Sequence, residues 1–419
     1  MQVMYKKRLI HNRLQRLFSH FPAVVVTGAR QVGKTTLLKH AFPDYELITL
    51  DPVLDVQQAK SDPELFLRNS GSPLMLDEVQ YAPDVVAVMK RLIDERSAVS
   101  GQYLLTGSQQ WRVMKSLSES LAGRCAIFDL HPFSWIESQD VTDSAKSWVP
   151  IYLESQGRIW ENEALSVLSC TSIFEVLWRG FLPHAETLPA DIISTFFNSY
   201  VETYVERDVK LMESVLDLHQ FGRFYQLLAS LTAQEINYSQ IGREIDVTPQ
   251  TAKRWLAVLE AGYQWHTIPA YSGNSIKRLS GKPKGYFFDS GAACAAQRIS
   301  SPQALAGHPA YGPMFETMMV NEVRKQLTAL PYQCSMYHWR ANSGSEVDLL
   351  IEKDGVFYPI EFKGKATLNK KDANGIEAFR KHYPKLNVAP GLIVYAGVDR
   401  FFVTENVYAL PWNSVLALR

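Results

Sequence analysis

Cysteine is scarce in this chain, and charge of either sign is not in excess. The four cysteines, Cys125, Cys170, Cys294 and Cys334, stand far apart with no C-x-x-C spacing. That excludes a paired-cysteine zinc site and a disulfide scaffold, and it points to a reducing compartment. Lys plus Arg and Asp plus Glu number 43 each, so no global field draws the chain to nucleic acid or to an anionic membrane; such binding needs a local patch. No apolar run approaches the length of a membrane span. The segment Met1 to Leu17 scatters Lys6, Lys7, Arg8, Arg13 and Arg16 among apolar residues and has no signal-peptide core. These absences give the expectation of a cytoplasmic protein without a membrane partner. What is present is ordinary globular material, 46% hydrophobic and 21% charged over 419 residues, enough for about two to four domains.

Gly28 to Thr35 read GARQVGKT, a full G-x-x-x-x-G-K-[ST] loop, directly after the apolar run Ala23 to Thr27. Strand, loop and following helix are the context in which such a loop cradles phosphate. Gly28 and Gly33 let the backbone wrap closely, and the helix that follows presents its positive dipole end. The expected nucleotide contacts are Gly28, Ala29, Arg30, Gln31, Val32, Gly33, Lys34, Thr35 and Thr36. Lys34 would neutralise the β- and γ-phosphates and Thr35 would ligate Mg²⁺.

Ser72 to Glu78 form a turn and an apolar strand ending in two carboxylates, a Walker B arrangement. Asp77 is expected in the Mg²⁺ shell, and Glu78 is expected to polarise the attacking water. The next apolar run, Tyr103 to Leu105, ends in Thr106 and Ser108, either of which would place a hydroxyl beside the γ-phosphate; hydroxyls also cap turns. Arg124 stands where a cation could reach a nucleotide in the same or a neighbouring subunit, although an arginine at a helix end also serves as a dipole partner.

The pattern turns helical from about residue 136. Ser239 and Thr248 are spaced as caps of two short helices, with Pro249 at a first helical position, which is a helix-turn-helix signature. The second helix offers Gln250, Thr251, Lys253 and Arg254 on one side and apolar Trp255, Leu256 and Leu259 on the other. Those polar residues are the candidate DNA contacts; the unit would serve equally as an adaptor between its neighbours. The stretch Val141 to Glu163, rich in Ser, Asp, Glu and Trp, reads as a variable loop.

Near the C-terminus, Asp348 begins an apolar strand, a turn follows at Lys353-Asp354-Gly355, and a second strand leads to Glu361 and Lys363. This is the D…(D/E)-x-K layout of the PD-(D/E)xK nuclease core. Asp348 and Glu361 would present oxygens to Mg²⁺, Lys363 shares the Glu361 face because strand period is two, and Glu316 on the preceding helix would add a third acid.

Taken in order, the phosphate loop, LDEVQ (Leu76 to Gln80), LLTGS (Leu104 to Ser108), ESLAGR (Glu119 to Arg124), TYVERDV (Thr203 to Val209), TAKRWL (Thr251 to Leu256) and YFFDSG (Tyr286 to Gly291) resemble the prokaryotic AAA+ ATPases that end in a conserved domain of unknown function. The resemblance spans nearly the whole chain and implies ATP as the nucleotide. The expected architecture is α/β: a P-loop AAA+ parallel-sheet domain (1–135), a helical region (136–230), a winged-helix region (231–310) and a nuclease-like α/β domain (311–419). The expected activity is ATP hydrolysis with Mg²⁺, in a homo-oligomer that acts on or docks to DNA. The rival from another class is a nucleotide-dependent switch or scaffold for a protein partner, its nuclease-like domain inactive.

Overall fold

The computed structural model describes residues 5–50, 56–96, 99–107, 121–170, 172–204, 209, 215, 217–274 and 281–418. They divide into two compact units: residues 1–133 with 182–184 and 259–264, and residues 134–181, 185–258 and 265–419.

The first unit is built on five parallel strands, β1 (Ala23–Thr27), β2 (Glu46–Thr49), β3 (Leu74–Asp77), β4 (Tyr103–Gly107) and β5 (Cys125–Asp129), in the order β2-β3-β4-β1-β5. Valines dominate β1, every residue of which is buried, as expected for a parallel strand covered on both faces. Helices pack against the sheet, and the helix Pro83–Glu95 inserts Val85, Val86, Met89, Leu92 and Ile93 into the core formed by Val25, Leu76 and Leu105. Strand order has a direct consequence. With β4 lying between β1 and β3, the phosphate loop at the end of β1 and the acids at the end of β3 stand about 10 Å apart, and the end of β4 fills the gap.

In the second unit, strands β6 (Ala145–Ser147) and β7 (Leu165–Val167) flank a strand from the far end of the chain, β18 (Ser414–Ala417). A helical segment includes Ile173–Arg179 and Ala190–Tyr204. Three further helices, Leu218–Ser230, Tyr238–Glu244 and Pro249–Ala261, accompany a small antiparallel sheet of β8 (Gln234–Glu235), β9 (Trp265–Ile268) and β10 (Lys284–Phe287), ordered β8-β10-β9. Just after β10, Asp289 caps the helix Ser290–Ala296 by accepting from the Ala292 amide, and its other oxygen accepts from Phe181 N at 2.7 Å. The YFFDSG run therefore has a packing role.

The long helix Tyr311–Ala329 precedes a mixed sheet of β11 (Ser335–Arg340), β12 (Glu346–Lys353), β13 (Val356–Lys363), β14 (Asn387–Val388), β15 (Gly391–Tyr395), β16 (Phe401–Thr404) and β17 (Val407–Pro411). The first three strands form an antiparallel meander, after which β13, β15 and β17 run parallel. The architecture is the mixed α/β one expected, with a parallel-sheet N-terminal region, a helical middle and a C-terminal sheet domain.

The expected loop at 141–163 is not one. Trp148, Val149, Ile151, Tyr152 and Leu153 are buried in the helix Trp148–Glu154, and the Tyr152 hydroxyl donates to Pro390 O at 2.7 Å. Polar residues between the apolar ones disguised a short helix docked onto the C-terminal sheet. Among the described residues no helix is long and apolar enough to cross a membrane.

Candidate functional site

The phosphate loop leaves β1 through Gly28 at φ +144 and enters the helix Lys34–Ala41 through Gly33 at φ +91. A Cβ on Gly28 would lie 2.2 Å from Leu130 O, so only glycine fits there. Gln31 also holds a left-handed conformation, φ +61, a strained position of the kind that clusters at ligand sites. Lys34 is buried at the mouth of the loop, its Nζ donating to Gly28 O at 3.0 Å and Ala29 O at 2.9 Å. Those two carbonyls hold the ammonium.

Across the sheet, Thr35 Oγ1 donates to Asp77 Oδ2 at 2.8 Å. Thr106, fully buried at the end of β4, donates to the other Asp77 oxygen and accepts from the Glu78 amide at 3.2 Å. Glu78 sits at φ +59 and its carboxylate accepts from the Gln80 amide. Thr35, Asp77, Thr106 and Glu78 therefore form one connected network at the C-terminal ends of β1, β3 and β4, with Lys34 in the adjoining loop. The Thr35 hydroxyl and Asp77 carboxylate are hard oxygen donors of the kind that suits Mg²⁺. Ser108 lies outside the described residues.

Arg124 is elsewhere. It immediately precedes β5, and since Cys125 pairs with Ala23 while Asp129 pairs with Thr27, it stands at the opposite end of the sheet from the phosphate loop. Five residues of strand separate the two by about 16 Å. Its guanidinium grips Asp94 bidentately, at 2.6 and 3.0 Å. The reading in which Arg124 serves its own subunit's nucleotide is thereby corrected: the parallel sheet puts it at the wrong end.

In the second unit, Asp348, Glu361, Lys363 and Glu316 do converge. Asp348 Oδ2 accepts from Phe362 N at 2.9 Å and lies 3.5 Å from Lys363 Nζ, which also meets Glu361 Oε2 at 2.6 Å. A further cation, absent from the sequence reading, completes the group: Lys284 of β10 contacts Glu316 Oε1 at 2.5 Å and Asp348 Oδ1 at 3.5 Å. The Tyr286 hydroxyl donates to the same Glu316 oxygen at 2.8 Å. Burial and the neighbouring Asp348 charge push Glu316 up to about 7; the same two causes raise Glu361 well above the carboxylate range. Asp348 is also pushed up by burial, yet the charges of Lys284 and Lys363 win and hold it at about 2.

This arrangement does not fit the metal-binding role expected for Glu316, Asp348 and Glu361. Ammonium groups lie where a cation would have to sit, and Asp348 and Glu361 are 4% and 3% exposed. No group of three or more His, Cys, Asp and Glu placed to hold a metal ion occurs among the described residues. On the helix Pro249–Ala261, Gln250, Lys253 and Arg254 are exposed. Thr251 is engaged in the helix start, its amide donating to Thr248 Oγ1 at 3.1 Å and its hydroxyl bonded to the same atom.

Residues 20–139 match the family model described as an AAA domain. Residues 170–303 and 311–415 match two models described as domains of unknown function, DUF8612 and DUF4143. Curated relatives include the uncharacterized proteins Mb2031c of Mycobacterium bovis and Rv2008c of Mycobacterium tuberculosis, each 28% identical over 406 residues, 96% of this chain and 83% of theirs. Among solved structures, the Walker-type ATPase PABY2304 of Pyrococcus abyssi is similar with a TM-score of 0.42 at 14% identity, covering 70% of this chain and 96% of that one. The RuvB Holliday junction branch migration motor of Thermotoga maritima reaches 0.29 at 15% identity, covering 65% and 92%. Residues 20–139 are thus similar to an AAA domain, and their loop has the geometry of a phosphate-binding loop.

Proposed function

We propose that this chain is an ATP-hydrolysing AAA+ protein of the cytoplasm that docks to DNA through the helix Pro249–Ala261, with a nuclease-like C-terminal domain that does not cleave. The observation that carries the ATPase reading is the Thr35–Asp77–Thr106–Glu78 network, beside the loop lysine Lys34, at the C-terminal ends of the inner strands. Thr35 and Asp77 would hold Mg²⁺, which neutralises phosphate charge when bound. Lys34 exchanges the Gly28 and Ala29 carbonyls for the β- and γ-phosphates. Glu78 orients the attacking water, its backbone pinned by Thr106.

Arg124 is then left to act on the nucleotide of a neighbouring copy, which favours a homo-oligomer. Exposed Gln250, Lys253 and Arg254 would meet DNA, with Thr251 fixing the helix start. The order of β8, two helices, β9 and β10, with the three strands paired in one sheet, supports a winged helix at 231–310. The meander leading into parallel strands supports a nuclease-like fold for 311–419, and the lysines inside its carboxylate cluster support loss of metal chemistry.

The test is Mg²⁺-dependent ATP turnover by the full chain. Lys34→Ala should abolish it; Glu78→Gln should keep ATP binding while hydrolysis falls about 10²-fold or more. A Glu78→Gln protein turning over at the parent rate would remove Glu78 from the mechanism.

A further inference from the structure

Arg8 lies ahead of the first helix, His11–Phe18. It is 4% exposed. Its Nη1 donates to Val32 O at 2.7 Å and its Nη2 to His131 O at 2.6 Å, and the guanidinium carbon stands 4.8 Å from the centre of the Phe133 ring. Val32 is in the phosphate loop; His131 and Phe133 are in the loop that follows β5.

We propose that Arg8 is a positioning residue of the nucleotide site, setting the affinity for phosphate by fixing the last turn of the loop; this rests on the ATP reading above. The physical reason lies in one peptide plane. The Val32 carbonyl and the Gly33 amide belong to the same planar unit and point in opposite directions, so a guanidinium that grips the carbonyl aims the N–H away from itself. The charged donor also polarises that N–H, making it a better donor to an anion.

The same post-β5 loop supports the other end of the phosphate loop. The Leu130 amide donates to Thr27 O at 2.7 Å, and Gly28 packs so closely on Leu130 O that no side chain fits. Both ends of the loop are thus referenced to residues 130 and 131, the first by backbone and the second through Arg8. A fork donating to two carbonyls in the loops that follow the neighbouring strands β1 and β5 does this; a single ammonium does it less well.

The experiment uses the full chain with Arg8→Met and Arg8→Lys, reading the Kd for ATP and ADP, KM and kcat. The expected result for Arg8→Met is a rise in both Kd values and in KM of about tenfold to a hundredfold, the loss of a charge-assisted bond pair, with kcat at saturating ATP within threefold of the parent. Arg8→Lys should recover part of the affinity. A purely structural role would lower thermal stability and the active fraction without raising KM. The proposal is overturned if folded Arg8→Met keeps its KM within threefold, or if kcat collapses while KM stays. Should Arg8→Met fail to fold, Arg8→Lys decides by the same criterion. A parent protein that binds no ATP, or a Lys34→Ala variant that binds it equally well, overturns the ATP reading itself.

Discussion

Lys284→Met removes the ammonium shared by Glu316 and Asp348 while keeping an unbranched side chain. Breaking a buried ion pair from one side costs about 3–5 kcal/mol, because the remaining charge is left uncompensated. The two acids do not suffer equally. Asp348 retains Lys363 at 3.5 Å and the Phe362 amide at 2.9 Å; Glu316 retains the Tyr286 hydroxyl at 2.8 Å and no neighbouring ammonium within salt-bridge distance among the described residues. Glu316 therefore carries most of the penalty and can escape it by binding a proton. Its folded pKa of about 7 already exceeds the ordinary 4.5, so the folded state holds the extra proton and stability falls as pH rises between those values. In the variant this window extends upward. The loss from Lys284→Met should be about 3 kcal/mol or more at pH 8 and clearly smaller at pH 5, and Glu316→Gln in the same background should restore much of it. Urea unfolding followed by tryptophan fluorescence reads the right unit, since of the nine tryptophans only Trp111 lies outside it. A loss below about 1 kcal/mol at pH 8, or one equally large at pH 5 and with Glu316→Gln, would refute the reasoning.

Gly28→Ala should weaken ATP binding more than tenfold and lower the melting temperature, because the new methyl meets Leu130 O at φ +144; nucleotide titration and a thermal melt check this together. Lys253→Ala with Arg254→Ala should weaken DNA binding uniformly across sequences and reduce the salt slope by roughly two units, measured by anisotropy over a salt series; unchanged affinity favours an adaptor role. Arg124→Ala should leave ATP affinity intact and cut turnover only at protein concentrations where copies associate, so a loss that is independent of concentration would argue against action on a neighbour.

The nucleotide site was legible because its determinants are local. A strand, a loop of fixed spacing and the acid-ended strand Leu74–Asp77 name Lys34, Thr35, Asp77 and Glu78 without knowledge of the fold, and Thr106 follows once β4 separates the two motifs. Arg8, Lys284 and Tyr286 were not legible. Each acts across long sequence separation, Arg8 on residues 24 and 123 positions away and Lys284 on Asp348, so no spacing rule links them to what they touch. The carboxylate cluster shows the complementary limit: residue types and strand periodicity placed Asp348, Glu361 and Lys363 together, but pattern alone does not tell that Lys284 from another sheet bridges Glu316 and Asp348. The same-subunit role of Arg124 was misleading for a third reason, since a motif's position along the chain does not say at which end of a parallel strand it lies.

The seating of β18 between β6 and β7 bears on how the second unit is made. Strands near residues 145 and 165 find their common partner at 414–417, about 250 residues later, and Ser414 is almost wholly buried there. Closing so long a loop is entropically costly and slow. During synthesis the emerging chain holds two unpaired strand edges and the apolar helix Trp148–Glu154 until residues 414–417 have been made. Deleting the β18 residues 414–417 should therefore reduce the yield of soluble protein far more than the few contacts removed would suggest, and the first unit, whose sheet is complete by residue 129, should acquire protease resistance well before the second.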